Sequence, residues 1–195
     1  NDKTEFGSAY HTLIEGKYTA HEGGIILVED KDKSFAFTPE QAGPGLEYRK
    51  RFPSMVHEME ANKIYNTGFG QIQVTSRIDG AVGNIIRDIK TRFKPLYKES
   101  EYADSIQWQF YLDIMEADSF CYDVFEIKGF DSLPKQKPYI MPDVQIIALP
   151  EIKCERFTGM EDNIQMWLNC FMEYIDNRNF FHLLKPAIEP SELNF

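Results

Sequence analysis

Hydrophobic and polar residues along the chain follow two periods, and the period predicts the element. The segment 8–37 reads as strand-rich. Gly23-Gly24 leads into Ile25-Ile26-Leu27-Val28, Asp30-Lys31-Asp32-Lys33 makes a polar turn, and Phe35-Ala36-Phe37 follows, the pattern of a hairpin. Pro39, Gly43, Pro44, Gly45 and Pro53 mark 38–53 as a loop. Met55 to Asn62 reads as a short acidic helix. From Gly68 to Arg77, Ile72 and Val74 alternate with Gln71, Gln73 and Thr75, which predicts a half-exposed strand.

Asp79 is placed to cap a helix from Gly80 to Phe93, with Val82, Ile85, Ile86, Ile89 and Phe93 at helical spacing and Pro95 beyond its end. Ile106, Trp108, Phe110, Leu112 and Ile114 alternate with polar partners over Ser105 to Ile114, a period of two that predicts the strongest strand in the chain. Phe120 to Ile127 is a second strand. Leu133 to Pro142 is an extended connection, and Val144 to Ala148 and Ile152 to Phe157 are short strands broken by Pro150. Thr158-Gly159-Met160-Glu161 has the capping-box pattern. Behind it, Ile164, Trp167, Leu168, Phe171, Met172 and Ile175 form one apolar helical face.

This order predicts an α+β protein, with an antiparallel sheet and helices on one face. From Gly68 onward a β-α-β-β unit starts twice, which is compatible with two such halves. Residues 1–65 read as a strand-rich hairpin and loop extension that can pack on the same core, and 66–195 as the main domain.

Composition narrows the partners. The chain has 195 residues with 31 Asp and Glu against 21 Lys and Arg, a net charge of −10 that repels phosphate backbones and anionic membranes. No nucleic acid and no membrane are therefore expected. No apolar stretch is long enough to span a bilayer, and the polar start Asn1-Asp2-Lys3-Thr4-Glu5 has no signal-peptide core, so the reading is cytoplasmic. Cys121, Cys154 and Cys170 are far apart and odd in number, which fits free thiols rather than a disulfide framework or a zinc site.

Catalytic signatures are not legible. His57-Glu58 lacks the second His of a zincin helix, because that position is Ala61. His11, His21 and His182 have no local metal-ligand pattern and read as packing or surface residues. No G-x-S-x-G elbow occurs, and Gly80-Ala81-Val82-Gly83 lacks both a dinucleotide fingerprint and a P-loop lysine. Arg49-Lys50-Arg51 reads as a solvated basic loop. The reading therefore leans away from an enzyme, with no catalytic residue, metal ligand or cofactor assigned.

One stretch carries a family likeness. Tyr122-Asp123-Val124-Phe125-Glu126-Ile127 is followed by a proline-containing linker, Asp143-Val144-Gln145-Ile146-Ile147-Ala148-Leu149-Pro150, Phe157-Thr158-Gly159 and an amphipathic helix with Trp167. Over 68–195 this resembles the gyrase-inhibitor-like (GyrI-like) small-molecule-binding domain, also the effector-binding domain of some AraC- and MerR-type regulators. Pro150 and Phe157 keep the family spacing, while Ile152 and Cys154 stand where the family has Gly and Tyr. The resemblance implies a cleft between two pseudo-symmetric halves that holds amphipathic, often cationic, ligands with aromatics and one acid. Glu192 is the nearest match for that acid.

The expectation is thus a small-molecule-binding module for a hydrophobic or cationic ligand, held by Trp108, Phe110, Tyr122, Trp167 and Glu192. The rival is a structural or interaction protein, such as an adaptor or a viral or mobile-element product. It would engage a protein partner through its acidic surface and the proline-rich loops 39–53 and 134–142.

Overall fold

The computed structural model describes residues 1–94 and 98–184. It is an α+β protein with mostly antiparallel pairing. Helix α1 (Asp2–Ile14) opens the chain, where the sequence suggested only strands. Strands β1 (Thr19–Ala20), β2 (Ile26–Asp30) and β3 (Lys33–Phe37) follow, and the expected hairpin is the β2–β3 pair. The region 38–53 is helix α2 (Pro39–Arg51) and not a loop. Pro39 occupies the first turn, where its missing N–H costs nothing, and Thr38 and Gln41 form a reciprocal capping box.

Met55 to Asn62 is not helical either. It belongs to β4 (Val56–Thr67), which pairs along its length with β5 (Gly70–Val82). The helix expected over Gly80–Phe93 is the end of β5, a turn at Gly83-Asn84, and β6 (Ile85–Arg92). The first of the two expected β-α-β-β units therefore has a strand where its helix was placed. After a single turn of helix α3 (Ser100–Ala103), the expected strand at Ser105–Ile114 is helix α4 (Gln107–Met115). Its Gln109 and Asp113 are buried beside Trp108, Phe110 and Leu112, so helical burial on several sides imitates alternation.

Strands β7 (Ser119–Lys128), β9 (Gln145–Ala148) and β10 (Ile152–Glu155) match the sequence reading closely, and β8 (Tyr139–Ile140) is a two-residue strand inside the expected extended connection. Helix α5 (Met160–Asn177) has the expected apolar face. Its N-cap is Gly159, in the left-handed region at φ 88°, and Thr158 makes no cap bond.

The main sheet has the order β10-β7-β6-β5-β4, with β9 also on β7, and β6 and β7 run parallel. A smaller sheet has the order β1-β2-β3-β8. β7 is buried on both faces, so helices cover both sides of the sheet and not one. Phe125 and Ile127 face a core with Phe6, Tyr10 and Leu13 of α1, while Phe120, Tyr122 and Val124 face α4 and α5. The first 65 residues share these cores, and position 65 falls inside β4.

Candidate functional site

The site is built around β6. Successive strand residues point to opposite faces, so Asp88 and Lys90 share the α4 side while Arg87, Ile89 and Thr91 face the α1 and α2 side. β5 pairs with β6 only over Gly80–Val82 and Ile85–Arg87. Beyond that the two strands separate, although both continue. The main-chain N–H of Ile89, left without a strand partner on that side, donates to Asp79 Oδ2 at 2.8 Å. Asp79 is thus a carboxylate at the fork of two diverging strands, not a helix cap.

Helix α1 brings a third group to the fork. A Cβ on Gly7 would lie 2.5 Å from Thr91 Oγ1, so the absence of a side chain lets the helix approach β6 closely. One turn later His11 Nδ1 lies 4.0 Å from Asp79 Oδ2. Both border a cleft of about 980 Å³ flanked by Lys3, Lys17 and Arg77 as well as Glu15 and Glu58.

Asp88, on β6, is 3% exposed. Its Oδ2 is covered and has no directed hydrogen bond; Lys90 Nζ stands 2.6 Å away as an ion pair. Burial raises the Asp88 carboxyl to about 6; Lys90 opposes that shift and the charge on Asp79 adds to it. Burial alone would lower Lys90, but Asp88 and Asp79 leave it raised and charged. Burial also lowers His11, against the pull of Asp79. From the other side α4 contributes Tyr111, whose hydroxyl accepts from Gln107 Nε2 at 2.8 Å. Burial raises the Tyr111 phenol, and Asp88 and Asp79 push in the same direction.

Two carboxylates, a lysine, a neutral histidine and a phenol thus gather where a sheet opens. Among the described residues no three His, Cys, Asp or Glu side chains form a closed cage for a metal ion. A Mg²⁺ site does not require one, because this ion keeps several waters and takes one or two protein carboxylates plus substrate phosphates. The covered Asp88 oxygen has the Lys90 ammonium as its one close cationic neighbour.

The opposite face of β6 carries a charge cluster of another kind. Arg87 donates to both oxygens of Asp123 at 2.6 and 2.8 Å and to Glu151 at 2.7 Å. Tyr48 of α2 donates to Asp123 at 2.6 Å, and the guanidinium lies 3.9 Å from the Phe52 ring. Every charge there has partners, and the cluster ties α2 to β6 and β7.

The ligand residues expected from the sequence separate into groups. Phe110 and Trp167 meet edge to face with centroids 5.6 Å apart, bordering a groove of about 360 Å³ between β5, α4 and α5. Trp108 is buried, donates to the Ala103 carbonyl and packs on Phe157, away from that groove. Tyr122 is inside the core against Phe120 and Tyr102. Glu192 lies outside the described residues. No acidic residue lines the groove among the described residues.

Sequence reasoning missed His11, Asp79, Asp88, Lys90 and Tyr111 as a group. The available signal was Gly83-Asn84 between apolar runs, a two-residue hairpin pattern, with Asp88 and Lys90 two apart in the following strand.

No family model and no curated protein matches the chain. Among solved structures, the crystal structure of SSO0001 is similar to it at 18% identity and a TM-score of 0.43, over 74% of this chain. This chain spans 66% of the length of that one.

Proposed function

We propose that the chain hydrolyses phosphodiester bonds in nucleic acid with a divalent cation held at Asp79 and Asp88. The observation that carries the reading is the buried Asp88 carboxylate, left with one ion pair beside a second carboxylate and a lysine at the fork of β5 and β6. Phosphoryl chemistry needs those groups together: anionic ligands for the cation, and a fixed positive charge for the phosphoryl oxygens. The net charge of −10 acts at range and is screened beyond about 10 Å, whereas inside the site the cation reverses the sign that a phosphate meets.

Bound there, a divalent cation acidifies coordinated water and offsets the charge of the phosphate. The protein groups have separate tasks. Lys90, held charged, donates to a phosphoryl oxygen as negative charge builds. His11, kept neutral at pH 7 by burial, accepts a hydrogen bond from water at the mouth of the cleft. The Tyr111 phenol stays protonated and donates. Overall, a water oxygen bonds to phosphorus as the ester P–O bond breaks, and a water proton ends on the leaving oxygen. The products are a phosphomonoester and a free hydroxyl.

Hydrolysis of an end-labelled oligonucleotide with Mg²⁺ tests this. The wild type is expected to turn over and to stop on adding EDTA, while Asp79→Asn and Asp88→Asn each lose at least about a thousandfold. Activity that survives EDTA and both substitutions overturns the reading.

A second reading keeps the groove as a cleft for an amphipathic small molecule and is supported by the Phe110–Trp167 pair on its wall. Saturable quenching of Trp fluorescence by hydrophobic cations supports it, and no quenching across a broad dye panel counts against it.

A further inference from the structure

The geometry points to Lys17 and Arg77 as a phosphate subsite beside the proposed cation site, filled by the Glu58 carboxylate in the free protein. The inference rests on the phosphodiester reading and deepens it: the substrate carries a second phosphate next to the one cleaved, so a strand is bound better than an isolated phosphodiester.

The register of the β4–β5 ladder, His57 with Gly80 and Met59 with Ile78, places Glu58 directly opposite Asp79. Directly opposed residues share a face of the sheet, and like charges there repel. Glu58 takes a left-handed backbone, at φ 53°, which residues other than glycine rarely adopt. Strain of this kind gathers at functional sites. Its carboxylate is held by two cations from different elements. Arg77 Nη2 of β5 donates to Oε1 at 2.8 Å, and Lys17 Nζ, just beyond α1, donates to Oε2 at 3.4 Å. Lys17 also pairs with Glu15 at 2.6 Å. Arg77 first, and then Lys17, hold the Glu58 carboxyl below its ordinary range, so it is an anion at neutral pH. Lys17, Glu58 and Arg77 line the same cleft as His11 and Asp79.

This internal anion stands where a ligand's would. The side chains of Lys17 and Arg77 are 60% and 66% exposed, and an ion pair so exposed contributes little stability, so an incoming phosphate displaces Glu58 at small cost. A phosphate, like a carboxylate, offers a pair of oxygens to the fork of an arginine. Arg77 lies two residues from Asp79 on the same face of β5, about 7 Å along the strand, so a phosphate that it holds sits beside one at Asp79.

Anisotropy of a labelled oligothymidylate about 12 nucleotides long, titrated in EDTA where no hydrolysis runs, tests the subsite. The wild type is expected to bind saturably. The double variant Lys17→Ala/Arg77→Ala raises Kd about tenfold or more at low salt. It also lowers the slope of log Kd against log salt by about 0.7, the share of one phosphate on a single strand. Glu58→Gln keeps the size and removes the competing charge, so it lowers Kd about threefold or more; Glu173→Gln, the same loss of charge on α5 outside the cleft, changes Kd by less than about 1.5-fold. In Mg²⁺ the double variant raises KM for the strand by the same factor as Kd. No saturable binding by the wild type, an unchanged Kd in the double variant, Glu58→Gln leaving binding unchanged or weaker, or equal tightening by Glu58→Gln and Glu173→Gln overturns the subsite. The expected changes in Kd and salt slope with no hydrolysis in Mg²⁺ uphold the subsite and overturn the hydrolytic reading instead, so the two fail separately.

Discussion

Arg87 and Asp88 are neighbours in the chain and equally buried, at 4% and 3% exposure, yet their surroundings differ in kind. Arg87 has Asp123, Glu151 and Tyr48 as hydrogen-bond partners and a ring against its guanidinium. Asp88 has one ammonium and a nearby like charge. A buried charge with all its partners fixes one packing of α2 on the sheet. A buried charge left short of partners is held by the surrounding fold at a cost, and such residues gather where chemistry or a ligand supplies the rest. The two faces of one strand therefore divide into a lock and a site.

Substitutions on the two faces separate these roles. The largest effect is expected on the site face: Asp88→Asn and Asp79→Asn abolish hydrolysis by at least about a thousandfold, while the far-ultraviolet circular dichroism stays native. Lys90→Ala follows, with kcat lower by about a hundredfold or more and KM little changed, read by steady-state kinetics. On the lock face Arg87→Ala leaves Asp123 buried without its main partner. It should lose about 3–5 kcal/mol of stability in denaturant titration, yet hydrolysis under folding conditions falls far less than for Asp88→Asn. If Arg87→Ala inactivates the folded protein as fully as Asp88→Asn, the division between the faces fails.

Smaller effects sharpen the same contrast. Gly7→Ala pushes α1 off Thr91 and displaces His11; about tenfold lower kcat is expected with a modest loss of stability. The pH dependence follows from Asp88, raised from an ordinary 3.8 to about 6 by burial first and by Asp79 as well. Its protonated form contributes stability that is complete below pH about 4 and lost as pH rises through about 6. A divalent cation binds the carboxylate form, so the rise in Tm on adding Mg²⁺ should be small at pH 5 and grow above pH 6. A cation-induced rise that is equal at pH 5 and pH 8 removes Asp88 from the ligand set.

The sequence made the second half of the sheet legible and left its centre obscure. β7, β9 and β10 are short runs bounded by Pro and Gly, and α5 has a stripe at the right spacing, so local pattern and final packing agree there. β6 misleads because it is buried on both faces, so its apolar residues lose the period of two and fall by chance at helical intervals across the Gly83-Asn84 turn. α4 misleads in the opposite sense. Asp113 takes bonds from Tyr65 at 2.5 Å and Lys63 at 2.9 Å, and Gln109 accepts from Asn163, so polar residues are buried where a helix normally exposes them. The site was hidden for the same reason: its members come from α1, β5, β6 and α4, and only the separation of β5 from β6 brings them together. Of the expected ligand residues, Phe110 and Trp167 do share a groove, because their helices pack against each other.

The central claim is that Asp88 is a carboxylate waiting for a cation, and isothermal titration of Mn²⁺ into wild type and Asp88→Asn at pH 7.5 tests it most directly. The account predicts a saturable site in the wild type that is absent from Asp88→Asn and weakened when the wild type is titrated at pH 5. Identical isotherms for the two proteins, or no binding to either, would contradict it.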